Sequence, residues 1–312
     1  MQQTDEISYR VPFTSDSSLA AGFHVSAALG GGPPHAFMVD TGSVGILVPR
    51  PILGPDYQNF DPSLDIEFKY VSSGNTYRGQ WVEVQVVLGV PANWDGTGDY
   101  PIARLEVFAF DEPAVTDRGI FGIGFGIGGS ADGGPARNPL LALTYQGTSL
   151  SRGYIVTQHG IDAGLSRANT QGFAFVALER HARGHDWLQP VGNIRLSSDS
   201  TDGFTTDLKI LIDTGIDEMI LWVSADDAPS VPRDTAFPAG ISVSVAAPPA
   251  DRSSVSALQY SFVTGDSSQP MAPSQVLWRV GTGINTGRNV LAGTDYLYDA
   301  AQGRIGFRDP PG

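Results

Sequence analysis

Two segments of the 312-residue chain share one unusual pattern. HAFMVDTGSVGILVP, from His35 to Pro49, runs apolar into an acid, turns through Thr-Gly and runs apolar again. KILIDTGIDEMILWV, from Lys209 to Val223, does the same. A carboxylate set between two stretches suited to a protein interior is costly to bury unless donors or a partner compensate it. Glycine permits the tight turn that follows, and threonine can hydrogen-bond locally. A second, shorter pattern of two small or apolar residues and a glycine follows each acid. Ile120-Phe121-Gly122 begins 80 positions after Asp40, and Leu291-Ala292-Gly293 begins 78 positions after Asp213. One Asp-Thr-Gly is a weak signal, whereas two copies of a two-part pattern predict a duplicated lobe. The boundary falls near the middle, giving an N-terminal lobe over residues 1–160 and a C-terminal lobe over 161–312.

Around the repeat, short alternating or β-branched runs dominate: GFHVSAAL, WVEVQVVLGV, ARLEVFAF, GFAFVAL, FTTDLKILI, GISVSVAA and LQYSFV. Their period of two predicts strands, and 38 glycines and 22 prolines supply the turns, so the fold class is mostly β. NPLLALTYQG is the best helical candidate, with apolar residues on a 3.6 period and a closing glycine.

Charge and composition limit the partners. Thirty-three acids against 19 bases give a net charge of −14, which disfavours nucleic acid and anionic membrane surfaces. No stretch approaches the ~20 apolar residues of a spanning helix, so no membrane partner is expected. The absence of cysteine removes disulfides, thiol catalysis and cysteine zinc sites. The start, MQQTDEISYR, lacks the regions of a secretory signal; the bacterial cytoplasm or a trimmed exported form are the localisations this suggests.

The duplicated constellation resembles the pepsin-like aspartic peptidases, in which each lobe contributes one Asp-Thr/Ser-Gly turn beside a later apolar-apolar-Gly strand. DRGIFGIG at Asp117 to Gly124 is similar to the segment after that family's flap, and YDAAQGRIGF at Tyr298 to Phe307 to its closing strands. The resemblance implies a bilobal pepsin-like acid protease fold, two related β-barrel lobes with a cleft between them. It further implies an aspartic endopeptidase with Asp40 and Asp213 as catalytic acids, no metal and no cofactor. Thr41 and Thr214 would cross-bond beneath the pair, and Gly42 and Gly215 would present N–H groups to its inner oxygens. A peptide or protein is the implied substrate, pepstatin-type compounds are possible inhibitors, and a monomer suffices because one chain carries both acids.

In that scheme a flap falls on FKYVSSGNTYRGQWVEVQVVLG, with its turn at Ser72 to Asn75 around Gly74. Tyr70 and Tyr77 both qualify as the residue hydrogen-bonding over the cleft, and either is otherwise a cross-strand packing residue.

Three departures bear on activity. Ser43 can bond the outer oxygen of Asp40, but Ile216, at the matching place, cannot donate, so the ionised form of Asp213 is expected to lose a stabilising bond. Leu47 stands where many relatives carry a tryptophan that supports the flap tyrosine. GTDYLYDAAQG leaves little room for the short helix relatives place near the C-terminus. These departures motivate an alternative: a catalytically weak or inactive pepsin-fold protein that binds peptide or protein partners. Other signals are set aside. GFGIGG at Gly124 has no helix-forming run after it. GDSS at Gly265 has no histidine following it. ERHARGHDW places His181 and His185 four apart, but Gly184 argues against the helix such a metal site needs.

Overall fold

Alternation of apolar and polar residues fixes the longest strand, TYRGQWVEVQVVL, whose Val82, Val84, Val86 and Leu88 turn inward while Arg78, Glu83 and Gln85 face solvent. The computed structural model describes residues 7–57, 60–69, 74–111, 119–126, 134–182, 186–198, 201–226, 231–248 and 256–310. Among them there is no α-helix, and no helix is long and apolar enough to cross a membrane. The chain divides into two compact units. The first comprises Met1–Ser17, Phe23–Tyr154 and His159–Asn169, and the second Ser18–Gly22, Ile155–Gln158 and Thr170–Gly312.

Along the chain up to the middle run β1 (Tyr9–Pro12), β2 (His24–Leu29), β3 (His35–Asp40), β4 (Val44–Pro49), β5 (Ile66–Lys69), β6 (Thr76–Leu88), β7 (Ile102–Phe110) and β8 (Gly119–Ile123). They are followed by β9 (Thr144–Tyr145), β10 (Thr148–Ser149), β11 (Gly153–Thr157) and β12 (Gly160–Ala163). In the first unit, β7-β4-β8-β3-β2-β6 are neighbours in that order, and a further β6–β7 pairing closes the ring into a six-stranded barrel. Val25, Leu29, Phe37, Val39, Ile46, Val48, Val86, Leu88 and Phe121 fill it and are essentially inaccessible. Closure leaves these six strands no free edge.

The second half contributes β13 (Ala174–Ala177), β14 (Val191–Ser198), β15 (Thr201–Leu211), β16 (Met219–Val223), β17 (Ser242–Ala247), β18 (Leu258–Val263), β19 (Val276–Val280), β20 (Gly283–Asn285), β21 (Asp295–Asp299) and β22 (Arg304–Arg308). Its main sheet is ordered β18-β17-β14-β15-β20-β16-β19. Six neighbours, β17-β14-β15-β20-β16-β19, repeat the order β6-β2-β3-β8-β4-β7 of the first unit. The sense of each shared pairing repeats as well: β3–β8 and β15–β20 are parallel, β4–β8 and β16–β20 antiparallel, β4–β7 and β16–β19 parallel. The extra strand differs, since β5 precedes β6 whereas β18 follows β17.

The predicted helix at NPLLALTYQG is not formed. Asn138 accepts from the Leu140 N–H at 3.1 Å and starts a single 3-10 turn, Pro139–Leu141. Its amide also donates to the carbonyls of Ile123 and Gly124 at 2.6 and 3.2 Å, tying the turn to β8. The chain then forms the β9–β10 hairpin through Gln146 and Gly147, with φ of 48° and 75°. Two successive positive φ values match a type I′ hairpin turn, so Gly147 serves a strand reversal and not a helix end.

Candidate functional site

The first acid sits where β3 ends. β8 runs between β3 and β4, pairing Gly122 with Asp40 on one side and with Gly45 on the other, while Thr41 to Ser43 bridge over to β4. Asp40 is 7% exposed, and its carboxylate is held at both oxygens. The Gly42 N–H donates to Oδ1 at 2.7 Å, and the Ser43 hydroxyl donates to Oδ2 at 2.6 Å. A Cβ on Gly122 would lie 2.6 Å from the Gly45 carbonyl and 2.8 Å from Ser43 Oγ. Glycine is therefore required for β8 to pass close enough that Ser43 keeps its place.

In the second unit the Gly215 N–H donates to Asp213 Oδ1 at 2.8 Å, matching Gly42. Asp213 is 4% exposed and Thr214 fully buried. The expected loss of a donor at Oδ2 is not found. Ile216 indeed offers none, but the side-chain amide of Asn285, 1% exposed on β20, donates to Asp213 Oδ2 instead. Its orientation is set by the Gly287 N–H, which donates to Asn285 Oδ1 at 2.9 Å and leaves the NH2 directed at the acid. No local motif marks Asn285, because its donor reaches Asp213 from a separate strand 72 positions along the chain. Arg288 also belongs to this loop: its backbone N–H donates to the Ile216 carbonyl at 2.9 Å, and its guanidinium to the Thr214 carbonyl at 3.1 Å.

Strand register corrects the second half of the repeat. Ile120 pairs with Met38 and Leu47, while Asn285 pairs with Leu211 and Ile220, the positions equivalent to those two. The counterpart of Ile120-Phe121-Gly122 is thus Asn285-Thr286-Gly287. Leu291-Ala292-Gly293 lies on and just after a 3-10 turn, Arg288–Ala292. That turn also supplies the short helical segment for which the sequence left little room. The similar spacings of 80 and 78 were coincidental, because Asn285 follows Asp213 by 72 positions.

The expected flap region is a β5–β6 hairpin, with Phe68 opposite Tyr77 and Lys69 opposite Thr76. Tyr70 and Ser72 lie outside the described residues; Gly74 is exposed, two positions before β6. Tyr77 is 6% exposed, packs on Phe110 at 5.0 Å and belongs to a cluster with Leu47, Phe68, Phe108 and Ile120. Burial pushes its phenol up, and a hydrogen bond with the Asn75 side chain offsets part of this. Trp81 of β6 packs against the same cluster, and its ring lies against Gly45 and under the Arg137 guanidinium at 3.5 Å. Arg137 in turn pairs with Glu106 at 2.9 Å.

His185 lies outside the described residues, and among those described no group of three metal-capable side chains comes together. Neither a scan against models of protein families nor a search of curated proteins finds a match for this chain.

Proposed function

We propose that the chain is an aspartic-type endopeptidase on a pepsin-like plan, with Asp40 and Asp213 acting together on one water. The observation that supports this reading is the matched treatment of the two acids. Each unit buries one carboxylate at the same point of the same six-strand order, gives one oxygen a glycine N–H and gives the other a side-chain donor. A carboxylate that only caps a turn has no need of donors at both oxygens in two separate places.

In the proposed reaction the two acids share one proton. The ionised member removes a proton from the water, which attacks the peptide carbonyl carbon, while the protonated member donates to the carbonyl oxygen. Collapse of the tetrahedral intermediate breaks the C–N bond, and the amine leaves with a proton returned through the acids. Thr41 and Thr214, both buried, are the supporting residues of this scheme. Incubation with a mixed peptide library from about pH 3 to about pH 7 is the test. Cleavage is expected in the wild type and should fall by roughly 10³-fold or more in Asp40→Asn and in Asp213→Asn, each of which removes one of the two acid/base groups. Peptide binding without cleavage at any pH would instead establish a binding protein.

A further inference from the structure

The two acid loops differ by an exchange. In the first unit the loop position after Asp-Thr-Gly is polar, Ser43, and the facing strand position is apolar, Ile120. In the second the loop position is apolar, Ile216, and the equivalent strand position is polar, Asn285. Both arrangements deliver one donor to Oδ2 of the acid. They differ in what that donor can do next. A serine hydroxyl can rotate and accept a hydrogen bond, so a proton on Asp40 Oδ2 still meets an acceptor. The Asn285 amide nitrogen can only donate, and its rotation is prevented because Oδ1 already accepts from the Gly287 N–H. A proton on Asp213 Oδ2 would therefore find no acceptor in that nitrogen, and the contact would weaken from a charge-assisted to a neutral hydrogen bond.

We propose that Asn285 is a positioning residue that holds Asp213 in its ionised form, making Asp213 the base toward water and Asp40 the carrier of the shared proton. This assignment of roles rests on the reading of the site as an aspartic peptidase. The hydrogen bond that produces it lies within one unit and can be read without turnover.

Two variants test it. Asn285→Ile removes the donor and reproduces the first unit's strand residue, and Ile216→Ser added to it moves the donor to the place Ser43 occupies. The carboxyl carbon of Asp213 is followed by 13C NMR through a pH titration. Loss of one charge-assisted hydrogen bond should raise the titration midpoint by about one to two pH units in Asn285→Ile. The double variant should recover most of that shift. In cleavage assays the acidic limb of the kcat profile should move up in the single variant, return in the double, and leave KM little changed. Asn285→Asp, nearly isosteric, guards against simple misfolding: with the native thermal transition retained, it should also raise the Asp213 midpoint, because a second acid replaces the donor. An unmoved midpoint in the two single variants, or a shift that Ile216→Ser does not reverse, overturns the role given to Asn285. If the midpoints move as stated but no variant, nor the wild type, cleaves peptide, Asn285 positions Asp213 as described and it is the peptidase reading that fails.

Discussion

At the scale of single residues, the first acid depends on a side chain that is absent. Gly122 leaves room for Ser43 Oγ and the Gly45 carbonyl, both of which would come within 3 Å of a Cβ at this position. Backbone cannot yield as the end of a long side chain can, so Gly122→Ala should displace the Thr41–Ser43 turn. A cost of about 1–3 kcal/mol is the usual range for such overpacking, read as a lowered urea midpoint at unchanged slope. Gly122 was legible in the sequence as the end of an apolar-apolar-Gly run, and Asp40 and Asp213 as members of a repeated turn. Asn285 was not, for a physical reason. A donor can reach a carboxylate from any strand threaded beside it, and strand register over a separation of 72 positions is not written in a local motif.

At the scale of elements, the β5–β6 hairpin is fastened to the barrel by a buried charge. Asp65, just before β5, accepts from Gln80 of β6 at 3.0 Å and pairs with Arg50, which follows β4 and also bonds Asp111 at 2.5 Å. Burial pushes the Asp65 carboxyl up, but the hydrogen bonds from Gln80 and Arg50 and the Arg50 charge outweigh it and hold it below the ordinary carboxylate range. A lowered native value means the pair stabilises the hairpin above that range, and the contribution is lost as pH falls through the lowered value. Asp65→Asn should therefore speed amide exchange in β5 and the facing part of β6 by about tenfold near neutral pH, with the difference from wild type closing in acid. Equal exchange in the two proteins at neutral pH would leave the hairpin without this anchor. The strands themselves were legible because a half-buried strand must alternate, as β6, β7, β17 and β18 do. NPLLALTYQG misled because a 3.6 period over ten residues says nothing about Asn138, whose amide is claimed by β8 carbonyls and stops the chain after one 3-10 turn. β20 was misread for the converse reason: its Asn285 is polar where its counterpart in the first unit is apolar, so a hydrophobic pattern passed over the strand and settled on Leu291.

For the whole molecule, duplication and charge act on the same experiment. Two units with one strand order have kept a carboxylate at the same point while changing how it is held, so the acids are chemically alike but unequal in their neighbours. Any measured pH profile should reflect that inequality, yet the chain's net charge varies over the same range. The net charge is −14 at pH 7, and the sequence isoelectric point is about 4.6. Mutual repulsion that keeps such molecules apart at neutrality fades as carboxylates protonate, and association is favoured where the net charge crosses zero. Light scattering should therefore peak near pH 4.6 in the wild type and in Asp213→Asn alike, because one carboxylate among 33 acids moves the isoelectric point little. On the proposed peptidase reading, cleavage normalised to protein remaining in solution should lack a dip at that pH, while uncorrected rates should show one. A scattering maximum more than about one pH unit away would mean that many of the folded chain's acids titrate far from their ordinary values. In that case the site-resolved carboxyl titration, and not the overall profile, assigns any catalytic limb to Asp40 or Asp213.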